Sequence, residues 1–507
     1  MTFLHQSAKD YLTKGRGLSI AGRCDFSIPN LNQLATSHLT EYLHKVRCHS
    51  ASRDTEQIKI TQIMEDLPLA SYAIKYWHHH ARECIDISSV IQQNFEFFNE
   101  CSESRALWQR LCSDLAWAYS GLSVIPLLHL SCIIGIASLA VWCVERKQTY
   151  SLERTWGNAK TTPLHEACLG GHEAIVNILL DAGASAVIKD GRNRTSINYA
   201  VKEFGGDILR RMALQRPGEN WLREQADNPH SRLLFDAAEY GNESACRFLV
   251  EEFAWDVNQK TSGAQPYDTP VMSALAKGHL ELARILILEW QAHFEDWRAL
   301  YSTTISFSHG LTEQMIHFLI SQCSVDINAT DPAGHTVLCV MFRRYSSWYY
   351  PDVFYSVLQT ILDLGCNIGE PDNRGRTALH CCAMELDFSL SPTFIATNEY
   401  LLLRGRLDIN HSCFDGQTIL HHFVETLASC NPDWFSGRLI FVSRSLKGLL
   451  DLGSDRELRN LEGHSALRIL QLALHRVGYE DHDDYKGVVD RAIFVLENYS
   501  TVPFSFV

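Results

Sequence analysis

The chain has 507 residues, 46% of them apolar and 21% charged, so wholesale disorder is excluded, and it is too long for one core unless units add side by side. A formal charge of −14 leaves no general basic face for nucleic acid, although a local basic patch can escape such an average, and a protein partner is the expectation. The sixteen cysteines contain no C-x-x-C pair and the start MTFLHQSAKDYLTKGRG has no apolar signal core, so reduced thiols in the cytosol or nucleus are expected.

Residues 1–115 are expected to form a helical N-terminal arm. FLHQSAKDYLTKG opens it, and SHLTEYLHKVRC (37–48) and LPLASYAIKYWHHHARE (67–83) follow. These segments resemble the linker that follows the NTPase module of fungal NACHT/STAND proteins, with its F-x-H-x-S-v-k-D/E-y-L and L-A-x-Y-A-x-x-x-W-x-x-H patterns. In those families the arm joins a nucleotide-driven switch to ankyrin repeats that sense a ligand. No G-x-x-x-x-G-K-[ST] occurs, and GRGLSIAGR (15–23) lacks its Lys-Ser/Thr end, so no phosphate cradle is expected. The chain then reads as a relative that kept linker and sensor, or as a gene model that begins late. Consecutive His78, His79 and His80 point about 100° apart on a helix. Only His80 and Cys84 form an i, i+4 pair, so a surface helix without metal is expected.

Residues 115–144 hold no acidic or basic side chain apart from His129, as a membrane span would. Gly121, Pro126 and Gly135 interrupt the run, however. His129 and Gly135 also have the spacing of His165 and Gly171 in the next segment, which favours a buried first repeat.

That segment, TPLHEACLGGHEAIVNILLDAGASAVIKDG from Thr162, resembles the ankyrin repeat. Thr162, Pro163, Leu164, His165, Ala167, Gly171, His172, Leu179, Leu180, Gly183 and Ala184 are all in register. Thr162 can cap the first helix, and Pro163 suits its first turn. Leu164, Ala167 and Cys168 keep neighbours close, Gly171 fits the turn, and Gly183 can end the second helix in a left-handed conformation. The frame returns at Thr195, at 233–258, at Thr269 and, as a second half, at 309–328. It returns again at Thr336, Thr377, Thr418 and Ser465, in steps of 41, 41 and 47 that exceed the ankyrin period and imply inserted loops. The resemblance implies an all-α ankyrin-repeat solenoid with β-hairpin loops over residues 116–500, about nine or ten repeats in all.

No G-x-S-x-G, H-E-x-x-H or zinc-finger spacing appears, and His380, Cys381 and Cys382 fall on core slots of the repeat, so no catalytic residue, metal or cofactor is expected. His421 and His422 read the same way. A non-enzymatic, monomeric scaffold or regulatory adaptor is expected, with a transcriptional co-regulator or the sensor half of a NACHT/STAND receptor as alternatives. The partner-binding candidates are the hairpin-tip residues Arg192, Asn193, Arg374 and Arg376. Asn373, Asp415, Glu462 and His464 occupy further tips. The aromatic insertion RRYSSWYYPDVFY (343–355) adds Tyr345, Trp348, Tyr349 and Tyr350, residue types that dominate binding hot spots.

Overall fold

A computed structural model describes residues 35–41, 70–111, 124–146, 150–214, 231–261, 268–305, 312–344, 351–385, 394–429, 439–473 and 483–499, with positions 33, 43, 44 and 222. FLHQSAKDYLTKG, GRGLSIAGR, residues 115–123, and Tyr345, Trp348, Tyr349 and Tyr350 lie outside them. The described residues fall into two units, one of residues up to 237 with 242–255, the other of 238–241 with 256 onward. The described regular elements are helices, with no strand among them, so the all-α expectation holds.

In the first unit the arm contributes α1 (Ala70–Arg82), α2 (Ser88–Gln93), α3 (Phe95–Phe98) and α4 (Glu103–Leu111). Ala73, Trp77 and Ala81, four residues apart, make the buried stripe of α1. Trp77 meets Phe97 edge-on at 5.0 Å and Trp108 at 5.3 Å, while the Trp108 indole donates to the Ile74 carbonyl at 2.8 Å. Arg105 is fully buried, and it donates to the carbonyls of Phe97 (2.7 Å) and Glu100 (3.1 Å). The arm also reaches the first helix pair. The Leu127 N–H donates to Glu100 Oε1 at 3.2 Å, and Arg82 Nε donates to the Ile134 carbonyl.

Four helix pairs then follow: α5 (Leu127–Ile134) with α6 (Ala137–Val144), α7 (Pro163–Leu169) with α8 (Glu173–Asp181), α9 (Ser196–Glu203) with α10 (Gly206–Ala213), and α11 (Leu233–Glu239) with α12 (Glu243–Arg247). The described part of the apolar run, 124–144, is thus two short helices broken at Gly135 (φ 75°), and no described helix is long and apolar enough to cross a membrane. In α7, Thr162 and His165 close a capping box, with the Thr162 N–H on His165 Nδ1 at 3.3 Å. Because Nδ1 accepts, Nε2 carries the proton, and it donates to the Arg194 carbonyl at 3.1 Å in the next repeat. His129 likewise reaches the Thr161 carbonyl at 3.1 Å. The repeat histidine is therefore a neutral bridge between neighbours.

The turns between paired helices lock by shape. Gly171, between α7 and α8, has φ of 68°, and Gly183, beyond the end of α8, has φ of 89°, both inside the left-handed region. At Gly135 a Cβ would lie 2.6 Å from the His172 ring, and His172 Nε2 meets the Ile133 carbonyl at 3.3 Å. In the second unit Gly241 (φ 71°) repeats this against the His279 ring at 2.5 Å, with His279 donating to Glu239 at 3.0 Å. Gly241→Ala is expected to cost about 2–4 kcal/mol, from left-handed strain plus the clash. Gly453→Ala, equally left-handed (φ 98°) with nothing within 4 Å, is expected to cost about 1 kcal/mol. Equal shifts of the urea midpoint in the two variants would contradict the locking role of the ring.

The second unit holds α13 (Pro270–Lys277) with α14 (Leu280–Arg284), α15 (Asp296–Ile305) with α16 (Thr312–Cys323), and α17 (Val337–Arg344) with α18 (Pro351–Asp363). α19 (Ala378–Met384) with α20 (Phe394–Gly405), α21 (Ile419–Ser429) with α22 (Leu439–Asp451), and α23 (Ala466–Ala473) with α24 (Asp483–Asn498) follow. The surplus residues of the long repeats fall between the two helices of a pair, as between Met384 and Phe394. On the opposite loops a clip recurs. The Oδ1 atoms of Asn258, Asn328 and Asn410 accept the N–H groups of His293, Asn367 and Asp455, each at 2.7 Å. Each asparagine is itself held by the aspartate two residues earlier, at 2.9 Å.

Candidate protein-binding surface at the hairpin tips

The loops that lead into the inner helices are expected to be β-hairpins. Each instead closes with at most a single bridge, as at Lys189–Thr195 and Arg459–Ser465. A side chain makes up the difference. Asp190 Oδ1 accepts the N–H groups of Arg192 (2.8 Å) and Arg194 (2.9 Å), and its Oδ2 accepts the Tyr199 hydroxyl at 2.7 Å. In the second unit Asp331 holds Ala333 (2.9 Å) and His335 (2.8 Å), and Asp372 holds Arg374 (2.8 Å) and Arg376 (2.9 Å). Asn460 holds Glu462 (3.1 Å) and His464 (2.9 Å). At 413 the anchor position is taken by a buried cysteine whose Sγ lies 3.8 Å from His422 Nε2, and the turn is closed by the main chain, Cys413 N–H to the Gln417 carbonyl and Gly416 N–H to the Cys413 carbonyl, each at 2.9 Å.

Successive tips are tied through the main chain: Gly191 N–H to the Ala159 carbonyl at 2.6 Å, Asn373 to Ala333 at 3.1 Å, Phe414 to Arg374 at 2.9 Å, and Leu461 to Asp415 at 3.1 Å. Anchor and backbone polar groups thus turn inward, and the two residues after each anchor position turn outward. Arg192, Asn193 (φ 61°), Asn373, Arg374, Asp415 and Glu462 are exposed. So are Phe414 (71%) and Leu461 (78%), which the sequence reading passed over. Their signal was position: each is the residue immediately after an anchor position.

Arg376 stands apart from the other tip candidates. Its Nε lies 2.7 Å and its Nη2 2.6 Å from Asp372 Oδ2, and Nη2 meets His335 Nε2 at 3.3 Å. With 14% of its side chain exposed, it braces the tip from within. Burial alone would raise the Asp372 carboxyl. The hydrogen bonds from Arg376 and Arg374 outweigh it and hold the group below the usual carboxylate range. Asp190 is held low in the same manner by Tyr199 and its own turn.

His380, His422, Cys381 and Cys382 are not poised for chemistry. Burial lowers His380 to about 4, helped by His411, and it lowers His422 to about 3, helped by His380. Cys381 is pushed up by its hydrogen bond with Cys339 and by burial, and Cys382 chiefly by burial, so neither is a ready thiolate. In α1, His78 is buried and His79 exposed, and Cys84 Sγ donates to the His80 carbonyl at 3.4 Å. Among the described residues no three His, Cys, Asp or Glu side chains converge as a metal site.

Comparison with known proteins agrees with this geometry. The ankyrin repeat family model matches residues 160–191, the α7–α8 unit with its flanking tips. An ankyrin repeat-containing protein of Treponema pallidum (strain Nichols) is 31% identical over 119 residues, 24% of this chain and 38% of that protein. The transient receptor potential cation channel subfamily A member 1 homolog of Caenorhabditis elegans is 27% identical over 124 residues, 24% of this chain and 10% of that protein. The chain therefore spans well under two thirds of either relative. Ankyrin repeats generally mediate protein–protein interaction. Helix pairs bridged by a buried capping histidine, with tips tied one to the next, are the all-α architecture of an ankyrin-repeat solenoid, and residues 160–191 match the ankyrin repeat itself.

Proposed function

We propose that the chain is a non-enzymatic scaffold or regulatory adaptor that binds another protein through its hairpin tips. One observation carries the reading: side-chain anchors or main-chain ties hold each tip while leaving Arg192, Arg374, Phe414, Asp415, Leu461 and Glu462 exposed. A tip whose backbone is already fixed loses little backbone entropy on docking, which is what a recognition surface needs. Asn193 accompanies Arg192 on its tip in the first unit, while Arg376 supports the tip of Arg374 in the second. The aromatic set Tyr345, Trp348, Tyr349 and Tyr350 remains a proposed contact on composition alone. Residues 1–115 form the arm in this reading and 116–500 the repeats, the chain works as a monomer in cytosol or nucleus, and no cofactor or metal takes part. The likeness of the arm to the NACHT/STAND linker supports the narrower role of a ligand-sensing half.

A photo-crosslinking residue at position 374, exposed to extract of the native host, tests the proposal. A discrete protein adduct is expected, and Arg374→Glu is expected to weaken capture of that protein by at least about 1 kcal/mol. A chain that yields no adduct, or capture indifferent to the charge at 374, would overturn it.

A further inference from the structure

The chain is acidic overall, yet two adjoining tips of its first unit are basic. Lys160 lies in the turn closed by the Trp156–Thr161 bridge, and Lys189 and Arg192 lie on the next tip. The Gly191 N–H to Ala159 carbonyl bond, 2.6 Å, holds these turns together. All three cations are exposed, and no ion pair joins any of them to a carboxylate among the described residues. The one carboxylate within the second tip, Asp190, is buried, and its oxygens are already filled by two N–H groups and the Tyr199 hydroxyl.

Positive charge continues beyond the tips. Arg194, Lys202 and Arg232 all act on a single buried carboxylate, Asp236, with Arg232 Nε 3.4 Å from its Oδ1. Of the exposed acids of this stretch, Glu153 precedes the first tip and Glu203 ends the inner helix α9, while Glu173 opens the outer helix α8, Asp181 closes it beside Arg211, and Asp207 lies in the first turn of α10. Like charges gathered on rigid turns repel one another, a cost that an opposite charge on a ligand relieves.

We propose that the joined tips at 156–161 and 189–195 receive an acidic segment of a partner protein, with Lys160, Lys189 and Arg192 meeting its carboxylates. This rests on the protein-binding reading and names the chemistry of the partner. An extended acidic peptide suits the site better than nucleic acid, because the remaining charge of the chain is strongly negative and a long phosphate backbone would run into it.

Fluorescence anisotropy on the full chain, with a short Glu-rich peptide as probe, tests the inference. A Gln-rich peptide and a single-stranded oligonucleotide of equal charge are the comparators. The Glu-rich peptide is expected to bind, to weaken as salt rises, and to bind about tenfold more weakly to the Lys160→Glu, Arg192→Glu double variant. Both residues are exposed, and a thermal melt matching the parent shows the double variant folded. Lys486→Glu, an exposed charge reversal on α24 outside the proposed site, is expected to leave this affinity unchanged. Equal binding of the Gln-rich peptide, indifference to the double charge reversal, or tighter binding of the oligonucleotide overturns the inference. If the adduct at position 374 forms while the double reversal changes nothing, only the acidic-segment inference falls. If the Glu-rich peptide binds as described while no protein adduct forms, the broader reading falls instead.

Discussion

Asp372→Ala is expected to destabilise the second unit by about 3–5 kcal/mol, the range for breaking a buried ion pair by removing one partner. The Asp372 side chain is wholly buried and meets the Arg374 and Arg376 N–H groups, the Arg376 guanidinium through Nε and Nη2, and His335 Nε2 at 3.5 Å. Removing it orphans the N–H groups of Arg374 and Arg376 and leaves the Arg376 guanidinium, 14% exposed, facing only His335 and the Met384 sulfur. Each unsatisfied buried donor costs about 1–3 kcal/mol, and an unpaired buried cation costs more. Asp372→Asn keeps the Oδ1 acceptor and is expected to lose less, through the charge alone. The double variant Asp372→Ala, Arg376→Leu is expected to regain part of the loss, because it removes the stranded cation as well. Urea denaturation across this set checks the account. A loss below about 1 kcal/mol for Asp372→Ala would mean the tip is held by its main-chain ties and not by its anchor.

The consequence for recognition follows from the same bond. Arg374 is placed by the turn that Asp372 folds, so partner capture at 374 should weaken in Asp372→Ala even where the protein remains folded. Stability and recognition therefore meet in one carboxylate whose side chain never touches the solvent.

How much of this was legible depended on whether chemistry or shape carried each feature. The frame at Thr162 was readable because capping, bridging and close approach each demand a residue type: Thr, His and small side chains respectively. The broken apolar run was readable for the same reason, since Gly135 in a left-handed turn cannot lie within a continuous span. α15 was only implied, because its bridging residue is no histidine. Tyr301 takes the place, its hydroxyl donating to the His335 carbonyl just before Thr336. The π-helical turns that end two outer helices, Phe248–Glu252 and Ile285–Glu289, carry no signal in propensity or period.

The surface was harder to read than the stack. Arg374 and Arg376 are two residues apart and chemically identical, yet one is exposed and the other folds back on Asp372. Only the turn geometry separates them. Phe414 and Leu461 escaped notice for the opposite reason: an isolated apolar residue is ordinarily assigned to the core, and only its place after an anchor position puts it outside.

Acid should unfold the chain well above the range in which carboxylates titrate. Burial lowers His129 and His380 to about 4 and His422 to about 3, while an unfolded histidine titrates near 6.5. Between those values the unfolded chain binds protons that the folded chain refuses, so stability falls as pH falls. The slope is about 1.4 kcal/mol per pH unit for each such group, beginning near pH 6.5 and flattening towards 4. His380 shows why the fold refuses the proton. Its Nδ1 accepts the Thr377 N–H at 3.1 Å, so a proton there would set two donors face to face. Asp190 and Asp372, held below the usual carboxylate range, lose their contribution only further down, as pH drops past the carboxylate range itself. Tryptophan-monitored urea unfolding from pH 7.5 to 4.5 should show a midpoint steady above pH 7 and falling steeply below 6.5. His422→Leu is the discriminating variant, since the ring is buried and its nearest polar contact is the Cys413 sulfur at 3.8 Å. The leucine chain should unfold at the parent midpoint or lower at pH 7.5, yet lose less than the parent between pH 6.5 and 4.5. Parallel curves for the two proteins, or a parent midpoint flat across that window, would show that the buried histidines accept protons in the folded state.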